Sequence, residues 1–269
     1  MQMVKNVFAP NGAISAVLSQ SFFLTLEAMN PIAWNTIFFF LSCFVMFGGT
    51  LLIRFLFGKY GLYAWVGVCL ILANIEVLKT VNLFGIDGVT LGSPAFGAVF
   101  FTTSILQEEY GEKSGWIGLA IGFSVDLLFV GAMQLDLLYV ASANDSSQSA
   151  LLSVFTLSPR INTVSILCAL GASVSDVFLF GRLRAKWKGK WLWARAIIAD
   201  IIPNIIENFI FAYGAFAFSG LFTLEEIFVI ALGGSAIELI CSIFDIPLLY
   251  LSRRIEPLPE RNKNEEVPA

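Results

Sequence analysis

The feature that most constrains this chain is a series of apolar segments long enough to cross a lipid bilayer. A run of about 18 apolar residues is already a candidate membrane-spanning helix. Seven such spans are predicted, at 32–56, 61–82, 92–108, 116–141, 161–182, 193–219 and 224–251. Because 57% of the residues are hydrophobic and only 13% are charged, these spans account for most of the chain. We therefore expect an all-α, polytopic transmembrane helical bundle, since helices satisfy their own backbone hydrogen bonds in lipid.

The composition also excludes several kinds of chemistry. The chain has no His, and its four Cys residues stand singly in apolar runs without CxxC spacing. A His-based catalytic site and a zinc site are therefore not expected, and no metal or other cofactor is predicted. There is no phosphate-binding loop, and no nucleic-acid partner is predicted. We expect that the chain is not an enzyme.

Four regions are predicted along the chain. Residues 1–31 are too polar to span a membrane and favour an extracytoplasmic tail or an interfacial helix. Residues 32–56 are interpreted as an extra first transmembrane helix, and residues 57–252 as a core of six transmembrane helices. Residues 253–269 are polar and contain Pro, which indicates a disordered cytoplasmic tail.

The distribution of Lys and Arg predicts the orientation. The loop GRLRAKWKGKW at residues 181–191 carries five basic residues and no acid, so the positive-inside rule places it in the cytoplasm. Thirteen of the sixteen basic residues then lie on the cytoplasmic side, with the N-terminus outside and the C-terminus inside. The helices within 61–141 begin inside and those within 161–251 begin outside. Two inverted three-helix repeats are therefore a hypothesis for this chain.

Ionisable side chains inside the predicted spans are the second informative feature. Six acids lie within them: Glu76, Asp126, Asp176, Asp200, Glu207 and Glu238. A charged side chain at the bilayer centre costs about 2.5–3.5 kcal/mol even on a lenient scale, so such residues usually face a bundle interior or a wet cavity. Pairing with one or two basic residues cannot neutralise them all. We expect several of these acids to line a polar cavity.

The sixth span has the clearest polar stripe. In WLWARAIIADIIPNIIENFIFAYGAFAF, the residues Asp200, Asn204, Glu207 and Asn208 recur at i, i+4, i+7 and i+8 and share one helical face. Pro203 lies within this stripe and frees a backbone carbonyl. Polar contacts between packed helices are the alternative explanation, but four polar groups beside a proline favour a cavity wall.

The third and fifth spans contribute further candidates. The third is short and interrupted by Gly and Pro, a pattern typical of transporter binding sites, and its second half is polar. The fifth has a stripe of small and polar residues, which close helix packing explains equally well. The predicted substrate-binding residues are Asn74, Glu76, Gln107, Glu108, Ser173, Asp176, Asn204, Glu207 and Asn208. Lys79 and Arg195 are assigned to structural charge pairing, Lys79 with Glu76 one helical turn away.

Four segments carry a resemblance to a known family: LANIEVLKTVNLFG, TLGSPAFGAVFFTTSILQEEYGEK, SDVFLFGRLRAKWKGKWLWAR and FDIPLLYLSRRI. In order and spacing, over residues 60–254, they resemble the queuosine precursor transporter family, which is also labelled a vitamin uptake transporter family. The resemblance implies a multi-pass transporter of the bacterial cytoplasmic membrane that imports 7-deazaguanine compounds, the precursors of the tRNA base queuosine. Departures from the family pattern include Ser104, Ser173, Asn204 and Glu207, where members typically carry Asp, Gln, Gln and Asp.

The expected ligand is thus a small planar heterocycle. Glu207 is expected to accept two NH groups of the base, while Asn204 or Asn208 donates to its carbonyl, with Gln107 or Asn74 as helpers. Phe209, Phe211 and Tyr213 are candidates for stacking on the base or for core packing.

Two alternatives remain at this point. The chain could be a substrate-capture subunit for a vitamin-like or nucleobase-like metabolite that depends on a separate energising complex, with the basic loop as the docking surface. It could also be an intramembrane enzyme with paired carboxylates such as Asp126 and Glu207, although no activated nucleophile is present. The expected partners are the small molecule and the lipid bilayer, and both a monomer and a homo-oligomer are compatible with the sequence.

Overall fold

The fold is described from a computed structural model, which covers residues 30–142, 145–155, 159–217 and 222–258, with backbone only for 159–163. Most of the predicted tails, 1–31 and 253–269, lies outside these residues. The elements in chain order are α1 (Pro31–Glu76), β1 (Thr80–Leu83), β2 (Ile86–Thr90), α2 (Ser93–Tyr110), α3 (Glu112–Asp136), α4 (Gln148–Phe155), α5 (Pro159–Lys186), α6 (Leu192–Phe216) and α7 (Leu224–Ser252).

Helix α1 consists of two antiparallel arms, residues 31–57 and 59–76, that meet at Gly58. The backbone of Gly58 has φ 58° and ψ −141°, a conformation that residues with a side chain rarely adopt. In a straight helix, residues 15 apart would be separated by about 22 Å at about 1.5 Å per residue. Instead, Nε1 of Trp65 donates a hydrogen bond to Oγ1 of Thr50 at 2.8 Å. The first two predicted spans are therefore the two arms of α1.

The second arm is followed by an antiparallel β-hairpin that the sequence patterns did not predict. The helix ends at Glu76, whereas the predicted span continues to residue 82. Strands β1 and β2 are rich in Val and Thr, which favour strands, and Thr80 pairs with Thr90. Phe84 and Gly85 have φ 54° and 86°, as a two-residue turn of type I′ requires. We call the end of the bundle that carries this hairpin the hairpin end.

Helix α2 occupies the centre of the bundle, where it packs against α1, α3, α5 and α7. Of its 18 residues, 14 are buried. Pro94 lies in its first turn, and Gly111, with φ 90°, ends it. Gly118 of α3 allows close approach, since a Cβ there would lie 2.5 Å from a methyl of Leu106. The surrounding helices thus shield the polar second half of α2 from lipid.

The remaining helices complete a multi-pass bundle. Helices α1, α3, α5, α6 and α7 are long and apolar enough to cross a membrane, judged by length and composition. The two arms of α1, together with α2, α3, α5, α6 and α7, are seven membrane-length segments within the described residues. The predicted all-α polytopic fold is confirmed, with the short hairpin as its one departure in this part of the chain. The inverted-repeat relationship stays a prediction.

Candidate functional site

A cavity of about 120 Å³ lies inside the bundle, next to the hairpin. A wider cavity of about 840 Å³ extends from it towards the hairpin end, where residues of α3, α4, α6 and α7 form its walls. Both cavities share wall residues, among them Asn74, Ser165, Phe211 and Ile230. The two cavities therefore adjoin, and together we call them the central cavity.

An amide and a carboxylate form the first polar pair of the central cavity. Asn74 lies near the end of the second arm of α1, and Asp126 lies on α3. The amide nitrogen of Asn74 donates to both carboxylate oxygens of Asp126 at 2.8 Å. Asp126 is buried, whereas Asn74 is only partly buried and borders both parts of the cavity. The carboxylate thus orients an amide that a ligand can reach.

A second pair of the same type comes from α6 and α7. The amide nitrogen of Asn208 donates to Glu238 at 2.5 Å and to the backbone carbonyl of Asn204 at 2.9 Å. Gly234 makes room for this pair, because a Cβ at that position would overlap Oδ1 of Asn208. Glu207 precedes Asn208 and also lines the cavity, but its carboxylate has no hydrogen-bond or ion-pair partner among the described residues. Glu207 is therefore available to a ligand.

The walls around these groups combine apolar rings with acidic side chains. Phe96, Phe123 and Phe211 line the smaller cavity and offer flat surfaces. Its acidic lining residues are Asp87, Asp126, Glu207 and Glu238. Neither cavity has a Lys or Arg among the described residues of its lining. The central cavity therefore suits a ligand that is rich in NH groups or positively charged.

Three buried aspartates form a second group of acids outside this lining: Asp176 on α5, Asp200 on α6 and Asp245 on α7, which we call the aspartate cluster. None of the three is more than 3% exposed. The carboxyl groups of Asp176 and Asp200 are in direct contact, and Asp245 lies close to both. Oγ1 of Thr103 on α2 donates to Asp176 at 3.1 Å. Four helices therefore meet at this cluster.

At the end of the bundle opposite the hairpin, Glu108 of α2 binds arginines from three other helix ends. Its carboxylate lies 2.9 Å from Nη1 of Arg195, 3.3 Å from Nε of Arg184 and 3.6 Å from Nη2 of Arg253. Arg195 is completely buried and also donates to the backbone carbonyls of Gly189 and Lys190.

The neighbouring Glu109 makes the equivalent connection to α1. Its carboxylate lies 2.6 Å from Nε of Arg54 and accepts a hydrogen bond from Ser252 at 3.0 Å. Arg54 also donates to the carbonyl of Ile255 at 2.6 Å. We call Glu108, Glu109 and their arginines the arginine layer. Adjacent helical residues point about 100° apart, so the two glutamates reach different neighbours.

The nine predicted substrate-binding residues are consequently spread over the length of the bundle. Asn74, Glu207 and Asn208 come together in the central cavity. Asp176 belongs to the aspartate cluster, and Ser173 and Asn204 lie one helical turn from it, buried and outside the cavity lining.

The other predicted residues also lie outside the cavity lining. Gln107 is buried against Gly115 of α3, and Glu76 is partly exposed. Glu108 belongs to the arginine layer, where it pairs with Arg195. Lys79 is exposed, and no ion pair within 4.0 Å joins it to Glu76 in the described part of the chain.

The structure also adds residues that the sequence patterns do not assign to the site. Asp126 and Glu238 are recognisable from sequence only as intramembrane acids, and no motif singles out Phe96 or Phe123. Asn74 and Asp126 are 52 positions apart, so no local pattern indicates that they pair.

The three aromatic candidates of the sixth span separate in the structure. Phe211 lines the cavity, whereas Phe209 and Tyr213 pack against an apolar cluster of α6 and α7. Core packing therefore accounts for two of the three, and Phe211 is available for stacking on a ligand.

Comparison with known proteins agrees with this architecture. Residues 90–252 match the family described as "Putative vitamin uptake transporter". A protein of Bacillus subtilis (strain 168), named "Probable queuosine precursor transporter", is 32% identical over 207 residues, which cover 77% of this chain and 89% of the relative. No solved structure matches. Both similarities are to transporters, which confirms the expectation that the chain is a transporter and not an enzyme. The chain belongs to the vitamin uptake transporter family and is a multi-pass membrane transporter of a small molecule.

Proposed function

We propose that this transporter imports 7-deazaguanine queuosine precursors and that it binds them in the central cavity. The observation that carries the proposal is the carboxylate of Glu207, which has no partner among the described residues, in a cavity with two oriented amides and three phenylalanine rings. The relative's name, queuosine precursor transporter, supports the same class of substrate.

The chemistry of the cavity fits a deazaguanine edge. Such a base presents a ring NH and an exocyclic amine side by side, with a carbonyl next to them. A carboxylate accepts both NH groups, and each of these charge-assisted hydrogen bonds is about twice as strong as a neutral one. Glu207 takes this role, and the amide of Asn208 or Asn74 donates to the carbonyl. Phe96, Phe123 and Phe211 provide the apolar surfaces for the ring.

The charge of the cavity favours precursors whose 7-substituent carries an amine. Four acids and no described basic residue line the smaller cavity, and Glu225 and Glu226 add negative charge to the wider one. A protonated amine would be attracted into this space, whereas a neutral nitrile gains no such attraction. We expect uptake of a 7-aminomethyl-7-deazaguanine to exceed that of its 7-cyano counterpart at equal concentration.

The two ends of the bundle fit alternating access. The central cavity extends to the hairpin end, while the arginine layer joins α1, α2, α5, α6 and the C-terminal end of α7 at the opposite end. In the proposed orientation, the hairpin end faces outward and the arginine layer faces the cytoplasm of a bacterial cell. Labelling of single cysteines introduced at Asp145 and at Lys188 tests this: an impermeant reagent added to intact cells should modify only the first.

The decisive test is uptake of a tritiated 7-aminomethyl-7-deazaguanine into liposomes that contain the purified chain alone. Glu207→Gln keeps the shape of the side chain but loses the charge, and the loss of hydrogen bonds worth about 1.5–3 kcal/mol predicts a decrease of roughly 10- to 150-fold. Glu112→Gln, at an exposed acid at the start of α3, is the matched control and should transport normally. Normal uptake by Glu207→Gln would remove Glu207 from the site. A wild-type chain that binds the probe but transports it only with another complex would instead be a capture subunit.

A further inference from the structure

The aspartate cluster lies between the central cavity and the arginine layer, and the proposed substrate site does not use it. The three acids come from α5, α6 and α7, and α2 contributes Thr103. Along α6, Asn208 lines the cavity, Asn204 follows one turn further and Asp200 one more turn further. Glu238, Ser242 and Asp245 also follow one another at about one turn each along α7, at intervals of four and three residues. Two columns of polar side chains thus connect the cavity with the cluster.

The described residues provide no positive charge that compensates the three carboxyl groups. In the described part of the chain, no Lys or Arg nitrogen lies within 4.0 Å of Asp176, Asp200 or Asp245. The arginines of the next layer are bound to Glu108 and Glu109. Two buried carboxyl groups in contact strongly disfavour a charge on both, because burial leaves their repulsion poorly screened. A proton shared between Asp176 and Asp200 resolves this conflict.

Unpaired polar atoms around the cluster indicate that it takes a ligand. One carboxylate oxygen of each aspartate is buried without a hydrogen-bond partner among the described residues. Oγ of Ser173 and Oδ1 of Asn204 are in the same situation, and these residues are only 1% and 3% exposed. Ser173 lies three residues before Asp176, and Asn204 lies four residues after Asp200, so each shares the helical face of its aspartate. Buried polar groups are normally paired, so this concentration of unpaired atoms is unusual.

We propose that the aspartate cluster is a proton-binding site that couples substrate import to the proton gradient. A proton enters from the central cavity along Asn204 and Ser242, is held between the oxygens of Asp176 and Asp200, and leaves when the arginine end opens. Only O–H bonds form and break, and one proton crosses for each transport cycle. The proposed ligand is a proton because two carboxyl groups in contact can share one between their oxygens. The coupling rests on the proposed function, whereas proton binding by itself does not.

Other titratable and charged groups surround the cluster on each helix that packs against it. Towards the cavity they are Glu207 on α6 and Glu238 and Cys241 on α7, the last in contact with Cys43 of α1. Towards the arginine end they are Glu108 on α2, Arg184 on α5 and Arg195 on α6. A test of the cluster must therefore separate its protons from those of Glu207 and Glu238.

The experiment uses the purified full chain in liposomes with tritiated 7-aminomethyl-7-deazaguanine. An acidic exterior should drive accumulation on the order of tenfold per unit of pH difference for one proton per substrate. Asp176→Asn and Asp200→Asn should each lose this accumulation, yet keep counterflow exchange of labelled for unlabelled substrate. Asp136→Asn, at an exposed aspartate at the end of α3, is the matched control and should accumulate substrate normally.

The possible outcomes separate the proton site from the proposed substrate. The proton site would be overturned if both variants accumulated substrate as the wild type does. It would also be overturned if a sodium gradient alone drove accumulation by the wild type. If the wild type showed no counterflow, this would count against the proposed substrate. Proton binding by the cluster would then be tested by a second measurement that needs no substrate. In that measurement, infrared difference spectra of the protein without substrate should show a protonated carboxyl signal that Asp176→Asn and Asp200→Asn remove and Glu207→Gln does not. Its persistence in both aspartate variants would refute proton binding.

Discussion

The central cavity and the arginine layer each contain a glutamate carboxylate, but the two carboxylates have different neighbours. In the arginine layer, the Glu108 carboxylate is surrounded by three guanidinium groups and its side chain is 6% exposed. In the cavity, Glu207 has no partner in the described residues, and Asp126 and Glu238 each accept a hydrogen bond from an amide. The comparison shows that the role of an intramembrane carboxylate depends on which helix packs next to it.

The two kinds of partner also differ in how easily they release the carboxylate. A buried ion pair that loses one member leaves an uncompensated charge, which costs about 3–5 kcal/mol. An amide–carboxylate hydrogen bond contributes about 1.5–3 kcal/mol, and a ligand that offers NH groups can replace it. The arginine layer is therefore suited to hold helices together, and the cavity is suited to exchange partners.

The largest effect on stability is expected from Glu108→Gln. This change leaves Arg195 buried without its carboxylate, and we expect a loss of about 3–5 kcal/mol in unfolding free energy. Thermal unfolding in detergent measures the change, with the exposed Glu112→Gln as the control. An unchanged melting temperature for Glu108→Gln would show that the arginine layer does not stabilise the bundle.

A smaller effect, of a different kind, is expected from Asn74→Leu. The variant removes the amide that Asp126 orients, which costs about 1–3 kcal/mol for the unpaired acid. Uptake should also fall, by a factor that corresponds to at least the same free energy, because the amide also borders the cavity. Asn35→Leu is the matched control, since the amide of Asn35 donates to the carbonyl of Asn82 at the hairpin and does not line the cavity. Equal loss of uptake in both variants would mean that Asn74 has no special role.

Gly234→Ala should perturb the cavity by displacing Asn208. A Cβ at this position overlaps the Asn208 amide, which is the end of a flexible side chain, so the cost is about 1 kcal/mol and uptake falls roughly fivefold. The melting temperature should change little. Gly131→Ala on α3 is the control, because a Cβ there has no neighbour within 4 Å. If Gly234→Ala transports at the wild-type rate, the Asn208–Glu238 pair is not needed for binding.

The smallest effect is expected from Arg253→Ala. Its side chain is 48% exposed and lies 3.6 Å from Glu108, which already binds two other arginines. Exposed ion pairs contribute about 0–1 kcal/mol, so both stability and uptake should remain close to the wild type. A loss similar to that of Glu108→Gln would mean that all three arginines act as one unit.

Several features were predictable from sequence because they depend on local patterns. The membrane-length segments follow from the length and hydrophobicity of each run, and the polar stripe of α6 follows from helical spacing. Glu207 and Asn208 could therefore be placed on an interior face, and they do line the cavity. Gly58 lies between the first two predicted spans, which agrees with the reversal that it makes in α1.

Other features could not be predicted from local patterns. Asp200 and Glu207 share one face of α6, which suggests one site, yet only Glu207 reaches the central cavity. The sequence predicts Glu108 as a binding residue, whereas the structure pairs it with Arg184, Arg195 and Arg253. These arginines are far from Glu108 in the chain, so no local pattern indicates the pairing. The hairpin is not apparent from the sequence because β1 falls at the end of the apolar run that predicts a span to residue 82, whereas β2 falls in the connection to the next span.

The sequence by itself determined that the chain is a helical membrane protein with acids facing inward. The reason is that the residues of each segment alone fix which of its surfaces can face lipid and which charges must be shielded from it. Only the tertiary structure decided which acids receive arginines, which receive amides and which contact each other. Those pairings join residues from 24 positions apart, for Asp176 and Asp200, to 145 positions apart, for Glu108 and Arg253, and they depend on helix packing rather than on any spacing along the chain.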